Sequence, residues 1–371
     1  MVKWRNYAHC IFILLCIWSF IAAWCFVTVV KRTMADSRPK SPYSCVVLER
    51  EDVRRRIPGY QFESANSSSV TNRTVPQPPI SPDNLCGDIV MRRLKYLKEP
   101  IFEECFVASQ IKWSNMIFVK SAAGNTARRE WIRRTWGSIK YLEGIRFDTV
   151  FVVGRPEGVT KALVEEEYER NHDMLLLDEP DNYRNISLKT LASMQWASEN
   201  LPDDYFYTSA DDDFLVYMDR VRDAIEQYEE KMAEAKWPEF PIVCMYALAA
   251  ESRPIRDPDS KYYVSKETYR WPNWPKFCLG GMYTTSVSVA RQLLDQAKTA
   301  KRIEMDDVWV TGILRQGLGM PNEMVVDLKD APAAEHMYGF AGRQTDSVRA
   351  FMQREWGKVY KNLRFKTVCA C

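Results

Sequence analysis

Short apolar runs alternate with longer amphipathic segments from about residue 111 onwards, and this alternation constrains the fold more than any other feature. The short runs, rich in Val, Ile and Phe, predict buried strands at residues 116–120, 148–153, 174–177 and 205–209. The longer segments predict helices at residues 126–136, 161–170 and 188–199. Gly137 is expected to end the first helix, and Gly154 the second strand. Alternating strands and helices indicate an α/β domain with a mostly parallel sheet.

Three consecutive aspartates, Asp211, Asp212 and Asp213, follow the fourth predicted strand. Open α/β sheets bind ligands at the carboxyl ends of their strands. If the backbone stays extended, Asp211 and Asp213 point the same way, and two such carboxylates suit Mg²⁺ or Mn²⁺. Acidic triplets are also typical of solvated loops or helix caps. Here the flanking runs, YFYT and FLVY, are apolar and favour an inserted site that would bind a metal and a nucleotide diphosphate.

Composition excludes few classes of protein. The net charge of +2 gives no reason to expect a nucleic-acid partner. The hydrophobic share of 46% is enough to fill a globular core. The chain contains no glycine-rich phosphate loop of the Rossmann or P-loop type.

Residues 11–30 carry no charge and are long enough to cross a bilayer as a helix. A cleaved signal peptide is the alternative, although its apolar run is usually shorter. Basic residues flank both sides, so charge alone does not orient the segment. We predict a cytoplasmic tail at residues 1–10, a transmembrane signal anchor at 11–30, a Ser- and Pro-rich luminal stem at 31–110 and a catalytic domain at 111–371.

Three glycosylation sequons begin at Asn66, Asn72 and Asn185, and together they favour a luminal catalytic domain. Ten cysteines are present, of which seven lie outside the membrane segment and its flank. In an oxidising lumen most of these would pair and at least one would stay free or bond to a second chain. The connectivity, and a homodimer through the membrane helix or the spare cysteine, are left open.

Five segments resemble, in order, motifs of the β-1,3-galactosyltransferase family of inverting glycosyltransferases, which includes β-1,3-N-acetylglucosaminyltransferases. The segments are REWIRRTWG at residues 129–137, DEPDNYRNISLKT at 178–190, DDD at 211–213, FCLGGMY at 277–283 and DDVWV at 306–310. Asp306 stands where the family usually has Glu. The ordered set is specific, although each motif alone is weak.

The resemblance implies a GT-A fold, a UDP-sugar donor, Mn²⁺ or Mg²⁺, and a single-pass type II protein of the Golgi membrane. It assigns Asp213 as the principal metal ligand, together with Asp211. Asp211 or Asp212 would orient the nucleotide ribose or a metal-bound water. His336 lies where such folds often supply another metal ligand, although a lone histidine is more often structural.

An inverting transfer needs one carboxylate to accept the proton of the acceptor hydroxyl, and the resemblance points to Asp307. The alternative for Asp306 and Asp307 is an N-cap of the following helix. Arg129 and Arg133 share a helix face and either bind the nucleotide or form salt bridges. Lys189 lies either near the donor or in an ordinary ion pair.

The predicted activity is transfer of galactose, or alternatively N-acetylglucosamine or N-acetylgalactosamine, to an acceptor glycan on a lipid or protein. A metal-dependent hydrolase and a non-catalytic membrane-tethered lectin or assembly factor are the rival classes. The run WPNWP at residues 271–275 either stacks on an acceptor sugar or packs against the protein body.

Overall fold

The computed structural model describes residues 46–47, 92–104, 111–233, 239–244, 246–250, 252–327, 346–363 and 368–370. The chain divides into two compact units, residues 1–46 and 47–371, and the second contains the central sheet. No helix among the described residues is long and apolar enough to cross a bilayer. Residues 11–30 lie outside the described ranges, as do Asn66, Asn72 and His336, so the predictions made for them stay predictions.

The strands and helices are numbered in chain order. The strands are β1 (Val46–Val47), β2 (Tyr96–Lys98), β3 (Glu103–Glu104), β4 (Trp113–Lys120), β5 (Ile139–Leu142), β6 (Ile145–Arg155), β7 (Met174–Pro180), β8 (Phe206–Asp211), β9 (Ile242–Cys244), β10 (Ala247–Leu248), β11 (Phe277–Cys278), β12 (Met282–Ser286), β13 (Val325–Asp327) and β14 (Val368–Ala370). The helices are α1 (Thr126–Arg133), α2 (Val159–Asn171), α3 (Ile186–Asn200), α4 (Met218–Ala233), α5 (Val287–Ala297), α6 (Val308–Leu314, with π geometry) and α7 (Asp346–Leu363).

The main sheet of the described residues has 10 strands, in the order β13-β9-β12-β8-β4-β6-β5-β14, with β7 beside β6 and β2 beside β7. The central strands β8, β4, β6 and β7 are parallel to one another. The antiparallel strand β12 separates β8 from β9. The predicted α/β class with a mostly parallel sheet is therefore confirmed.

Alternate residues of the central strands fill two separate cores. Met116 and Phe118 of β4 face a layer formed by α3, α5 and α6. Ile117 and Val119, on the other side of the same strand, face α1, α2, α4 and α7. Because strand side chains alternate with a period of two, a strand buried on both faces is apolar throughout, which explains the continuous run MIFV.

Two predicted glycine stops were wrong. Helix α1 ends at Arg133, before a short 3₁₀ turn at Trp136–Ser138 that contains Gly137. Gly154 lies inside β6 rather than at its end. A Cβ at Gly154 would lie 2.7 Å from the Cα of Asp181, so this glycine permits close backbone approach within the strand.

Part of the predicted stem belongs to the sheet. Strand β2 pairs antiparallel with β7, and Leu94 is only 2% exposed within the core. The Ser- and Pro-rich composition stops being informative before the predicted boundary at residue 111. The folded domain therefore includes β2 and Leu94, which the predicted boundary places in the stem.

A disulfide and a glycine fix the loop that enters β12. Cys244 at the end of β9 is bonded to Cys278 in β11, across a sequence separation of 34. Three residues later, Gly281 has a φ of 113°, a conformation that residues with a Cβ rarely adopt. A Cβ there would lie 1.9 Å from the Phe214 ring. Gly281 thus allows the loop to pass directly beneath the residue that follows the acidic run.

We expect Gly281→Ala to lower the free energy of unfolding by roughly 1–3 kcal/mol, because the added methyl group collides with Phe214 and strains the backbone. Urea unfolding followed by circular dichroism would measure the change. Gly357→Ala in α7 is the matched control, since nothing lies within 4 Å of its Cβ position. Equal free energies of unfolding for the parent and Gly281→Ala would show that the loop accepts the methyl group without a collision.

Candidate active site

The polar groups of the site collect where the parallel strands end. Lys120 is the last residue of β4, Arg155 of β6, Pro180 of β7 and Asp211 of β8. Parallel strands direct their carboxyl ends to one edge of a sheet, so residues distant in sequence meet there. The loops that leave this edge supply the remaining side chains of the site.

The acidic run begins in the strand and continues in a turn. Asp211 is the last residue of β8, and its N–H donates to the carbonyl of Gly281 at 2.8 Å. Asp212 and Asp213 form the turn, so the condition of an extended backbone through Asp213 is not met. Side chains alternate between the two faces only as far as the end of the strand. The positions of Asp212 and Asp213 follow from turn geometry instead.

Asp212 connects the acidic run to the loop before α1. One carboxylate oxygen accepts from the hydroxyl of Ser121 at 2.7 Å and from the Asn125 amide at 2.8 Å. The other accepts from Arg128 at 2.7 Å. The residue is only 5% exposed, so both oxygens are committed to protein donors and Asp212 holds the turn against α1.

Lys120 lies between two carboxylates that are far apart in sequence. Its ammonium is 3.2 Å from Asp211 and 2.9 Å from Asp306, and Thr190 donates to the same Asp306 oxygen at 2.7 Å. Burial alone would lower the pKa of Lys120, but the two carboxylates outweigh it and hold the pKa above its usual value. The lysine stays charged and joins β8 to the start of α6.

Asp307, the predicted general base, begins α6. One oxygen accepts from the N–H of Val308 at 2.9 Å, so Asp307 makes the capping contact that the sequence left open. The other oxygen accepts from the N–H of Gly280 at 3.0 Å. Burial raises the pKa of Asp307, assisted by the Asp306 carboxylate and opposed by these two N–H groups and Lys120.

Asp213 is the aspartate of the run with the most strongly perturbed ionisation. Burial, followed by the charges of Asp211 and Asp212, raises its pKa to about 7. The nearest cation is Arg128, at 3.9 Å. No group of three or more His, Cys, Asp or Glu side chains among the described residues is arranged to hold a metal. The crowded carboxylates nevertheless suit a divalent cation, which would relieve their repulsion.

A cavity of about 410 Å³ lies at the same edge of the sheet, against the loop whose Ser121 and Asn125 contact Asp212. It is lined by the loop after β4 and by the ends of β6 and β7, including Gly124, Arg155 and Asp181. Lys189 supports one wall, because its ammonium donates to Asp181 at 2.5 Å and to the carbonyl of Ser121 at 2.8 Å. Lys189 is therefore ion-paired beside a cavity of the size expected for a small ligand.

A second cavity, of about 520 Å³, lies between the segment before β2 and helices α3 and α5. Its lining contains none of residues 211–213, 306 and 307. Its four cations each pair with a nearby acid: Arg92, Arg93, Arg291 and Lys298. The lining of the smaller cavity contains Asp181 but none of residues 211–213, 306 and 307. It shares the loop after β4 with the contacts of Asp212, so we place the candidate site at this edge of the sheet.

Comparison with known proteins identifies the family. The family model described as Galactosyltransferase matches residues 127–325, which include the acidic run, the loop at Gly280 and Asp307.

The chain belongs to the galactosyltransferase family.

Its relatives carry β-1,3-transferase names. The chain is 31% identical over 214 residues to human lactosylceramide 1,3-N-acetyl-beta-D-glucosaminyltransferase, covering 55% of this chain and 54% of that protein. It is 30% identical over 218 residues to beta-1,3-galactosyltransferase brn of Drosophila melanogaster, covering 59% and 64%. Human beta-1,3-galactosyltransferase 5 is 29% identical over 196 residues, covering 53% and 60%. The predicted family is confirmed, and the chain spans about half the length of the first of these relatives.

The two arginines predicted to bind nucleotide have the contacts of their salt-bridged alternative. Arg129 is fully buried, with two hydrogen bonds to Glu167 and others to Ser121 and loop carbonyls. Arg133 pairs with Glu167 and Asp173, both at 2.7 Å. Burial raises the pKa of Glu167, but the two arginines outweigh it and the pKa is lowered. These contacts brace α1 against α2.

The predicted sequon at Asn185 lies in the 3₁₀ turn Tyr183–Asn185, directly before α3. Its side-chain amide donates to the carbonyl of Pro180 at 3.1 Å, and the residue is half-buried. Glycosylation at this position stays a prediction.

Sequence reasoning missed several residues of the site. They are Lys120, Ser121, Asn125, Arg128 and Asp181. One signal was present: Lys120 ends a predicted parallel strand, and that strand would end at the same edge as the acidic run. No sequence pattern pointed to Arg128, because Arg128 and Arg129 are adjacent arginines in the same helix.

We expect Lys120→Met to lower the free energy of unfolding by about 3–5 kcal/mol, since it leaves the buried carboxylates of Asp211 and Asp306 without their cation. Urea unfolding at pH 7 measures this. Lys298→Met removes an exposed pair with Asp295 and should cost less than about 1 kcal/mol. A similar small loss for both variants would show that the buried bridge is unimportant.

A second prediction concerns pH. In metal-free protein the folded pKa of Asp213, about 7, exceeds the unfolded value of roughly 4. The folded state therefore binds more protons between these values, and the contribution of Asp213 to stability falls as pH rises from about 4 to 7. Asp213→Asn should be more stable than the parent at pH 8 and should match it near pH 4, in urea titrations with chelator. A difference that is constant with pH would contradict the raised pKa.

Proposed function

We propose that this protein transfers a hexose, with galactose as first choice, from a UDP-sugar to an acceptor glycan in β-1,3 linkage with inversion. N-acetylglucosamine and N-acetylgalactosamine are the alternative sugars. The observation that carries the proposal is the connection of Asp211 to Asp307 through the Gly280–Gly281 loop, in a member of the galactosyltransferase family. A carboxylate group for a cation and a separate carboxylate for a proton are the two parts that a single displacement requires.

The donor half of the proposed site is the acidic run with its neighbouring cavity. Asp213 and Asp211 would hold Mn²⁺ or Mg²⁺, which when bound would offset the charge on the departing diphosphate. Asp212 keeps the turn in position through its contacts with Ser121, Asn125 and Arg128. The cavity of about 410 Å³ is large enough for the nucleoside of the donor.

Asp307 is the proposed general base. The acceptor hydroxyl oxygen would form a bond to the anomeric carbon while the bond between that carbon and the diphosphate breaks. The hydroxyl proton would pass to Asp307, whose raised pKa brings its basicity closer to that of a catalyst working near neutral pH. The N–H groups of Gly280 and Val308 keep the carboxylate oriented during transfer.

The cellular setting is part of the same proposal. We propose a GT-A fold and a type II Golgi membrane protein anchored by residues 11–30, with a glycolipid or glycoprotein acceptor. The apolar segment, the three sequons and the disulfide between Cys244 and Cys278 support an oxidising lumen around the domain.

A donor screen tests the reaction. The purified full chain would be incubated in detergent with Mn²⁺, an acceptor panel, and UDP-galactose, UDP-N-acetylglucosamine or UDP-N-acetylgalactosamine. UDP release and the linkage of the product, determined by NMR, are measured. Formation of a β-1,3 product supports the proposal. UDP release that needs no acceptor would indicate a hydrolase, and glycan binding without UDP release from any donor would indicate a lectin.

The proposed roles of Asp307 and Asp213 can be tested separately. We expect Asp307→Asn to retain UDP affinity while kcat falls roughly 10²–10⁴-fold, because the base is lost. Asp213→Asn should weaken metal-dependent UDP binding, measured by isothermal titration calorimetry. Asp295→Asn, on the exposed face of α5, is the matched control and should behave as the parent. Parent-like turnover in Asp307→Asn would refute its role.

A further inference from the structure

The segment that supports Asp307 has different partners along its two edges. It runs from Lys276 to Gly280 and contains β11. One edge pairs with β10, and the N–H of Leu279 continues this pairing by donating to the carbonyl of Tyr246 at 2.7 Å. These strands form a two-stranded sheet, so the other edge has no strand beside it in the described part of the chain. The backbone groups on that edge need other partners.

A row of side chains along α6 takes the place of a strand on that edge. The row consists of three residues spaced four apart: Asp307, Thr311 and Arg315. In that order they accept from the N–H of Gly280 at 3.0 Å, accept from the N–H of Cys278 at 2.9 Å and donate to the carbonyl of Lys276 at 3.3 Å. Every second residue of the segment thus meets every fourth residue of the helix, and we call this contact the polar seam.

Thr311 is the central member of the polar seam and is fully buried. Its hydroxyl also donates to the carbonyl of Asp307 at 2.7 Å. A hydroxyl has one hydrogen to donate, so its lone pairs remain for the N–H of Cys278. The hydroxyl therefore joins the backbone of Asp307 to the segment whose Gly280 N–H contacts the Asp307 carboxylate. These contacts close a ring of hydrogen bonds over one turn of the helix.

The helix and the segment are in close contact along the polar seam. A Cβ at Gly312 would lie 3.1 Å from the Cβ of Phe277 and 3.1 Å from the Cγ of Pro275, so no free space separates α6 from the segment there. Cys278 is only 1% exposed. A buried N–H that loses its acceptor has no water to replace it, so the Cys278 N–H depends on the Thr311 hydroxyl.

We propose that Thr311 is a positioning residue for the transfer reaction. Its hydroxyl holds the segment from Cys278 to Gly280 on α6 and thereby fixes the direction of the Asp307 carboxylate. This inference rests on the proposed transferase function and adds a residue to it. Because Thr311 is fully buried, it acts on an acceptor only through Asp307. The rate of transfer should be sensitive to such a residue, because a displacement of about 1 Å in a reacting group can cost roughly 10²-fold.

Thr311→Val tests the role, since it replaces the hydroxyl with a methyl group and keeps the branched shape. We expect kcat, with the donor and acceptor on which the parent is active, to fall roughly 10- to 100-fold as the carboxylate leaves its productive direction. The KM for the UDP-sugar and the affinity for UDP should stay unchanged, because the acidic run is not altered. Thr311→Ser keeps the hydroxyl and should recover most of kcat.

Thr285→Val is the matched control. It makes the same change at a fully buried threonine whose hydroxyl has no hydrogen-bond partner among the described residues, and its kcat should equal that of the parent. If Thr311→Val does not fold, Thr311→Ala takes its place with the same expectations.

Hydrogen exchange gives a second measurement that needs no activity. In Thr311→Val the amide of Cys278 loses its acceptor, and we expect the amide of Gly280 to exchange faster as well, because the segment moves away from α6. The amide of Leu279 bonds to Tyr246 on the opposite edge and should keep the rate of the parent. Residue-resolved exchange in the folded full chain, measured by mass spectrometry, compares the three amides.

Three results would overturn the positioning role. The first is a kcat of Thr311→Val equal to that of the parent or of Thr285→Val. The second is a loss of kcat that Thr311→Ser does not recover, or that comes with an equal loss of UDP affinity. The third is faster exchange at Cys278 with the rate at Gly280 unchanged. If the parent transfers no sugar from any donor, the proposed function itself fails, and the exchange rates still decide whether Thr311 maintains the contact between Gly280 and Asp307.

Discussion

The buried ammonium of Lys120 is the interaction on which the site depends. It lies within 3.2 Å of Asp211 and 2.9 Å of Asp306, and without it these two carboxylates would have no cation between them. Asp211 begins the acidic run and Asp306 directly precedes the proposed base. One lysine therefore holds the acidic run beside the segment that contains Asp307, although the two lie almost a hundred residues apart in sequence.

The three aspartates of the run have identical side chains and three different environments. Asp211 pairs with Lys120, Asp212 is fully occupied by Ser121, Asn125 and Arg128, and Asp213 is left with a pKa near 7. The turn can take this form because Gly281 lets the neighbouring loop pass beneath Phe214. The backbone of the loop then holds Asp211 and Asp307 in register. The three aspartates therefore differ in role, although they look equivalent in the sequence.

The sequence could predict the α/β class and the position of the acidic run, because buried parallel strands leave a continuous apolar pattern. It could not predict that Arg128 rather than Arg129 faces the site, since the motif begins at Arg129 and adjacent helical residues differ by about 100° in direction. It also could not place β2 in the sheet, because the pairing of β2 with β7 depends on contacts distant in sequence. Trp274 shows the same limit: its burial, which decides between stacking and packing, is a property of the folded loop.

The covalent bond between Cys244 and Cys278 has a consequence for how such proteins diversify. The intervening loop leaves the main sheet at Cys244 and is tied back to that point at Cys278 in β11, shortly before β12 begins. Substitutions along the loop can therefore alter its surface without moving the strands that carry the carboxylates. The loop can therefore vary in sequence while the strands that carry the carboxylates keep their positions. Under the proposed function, such a fold could acquire new acceptors by local sequence drift while its carboxylates stay in place.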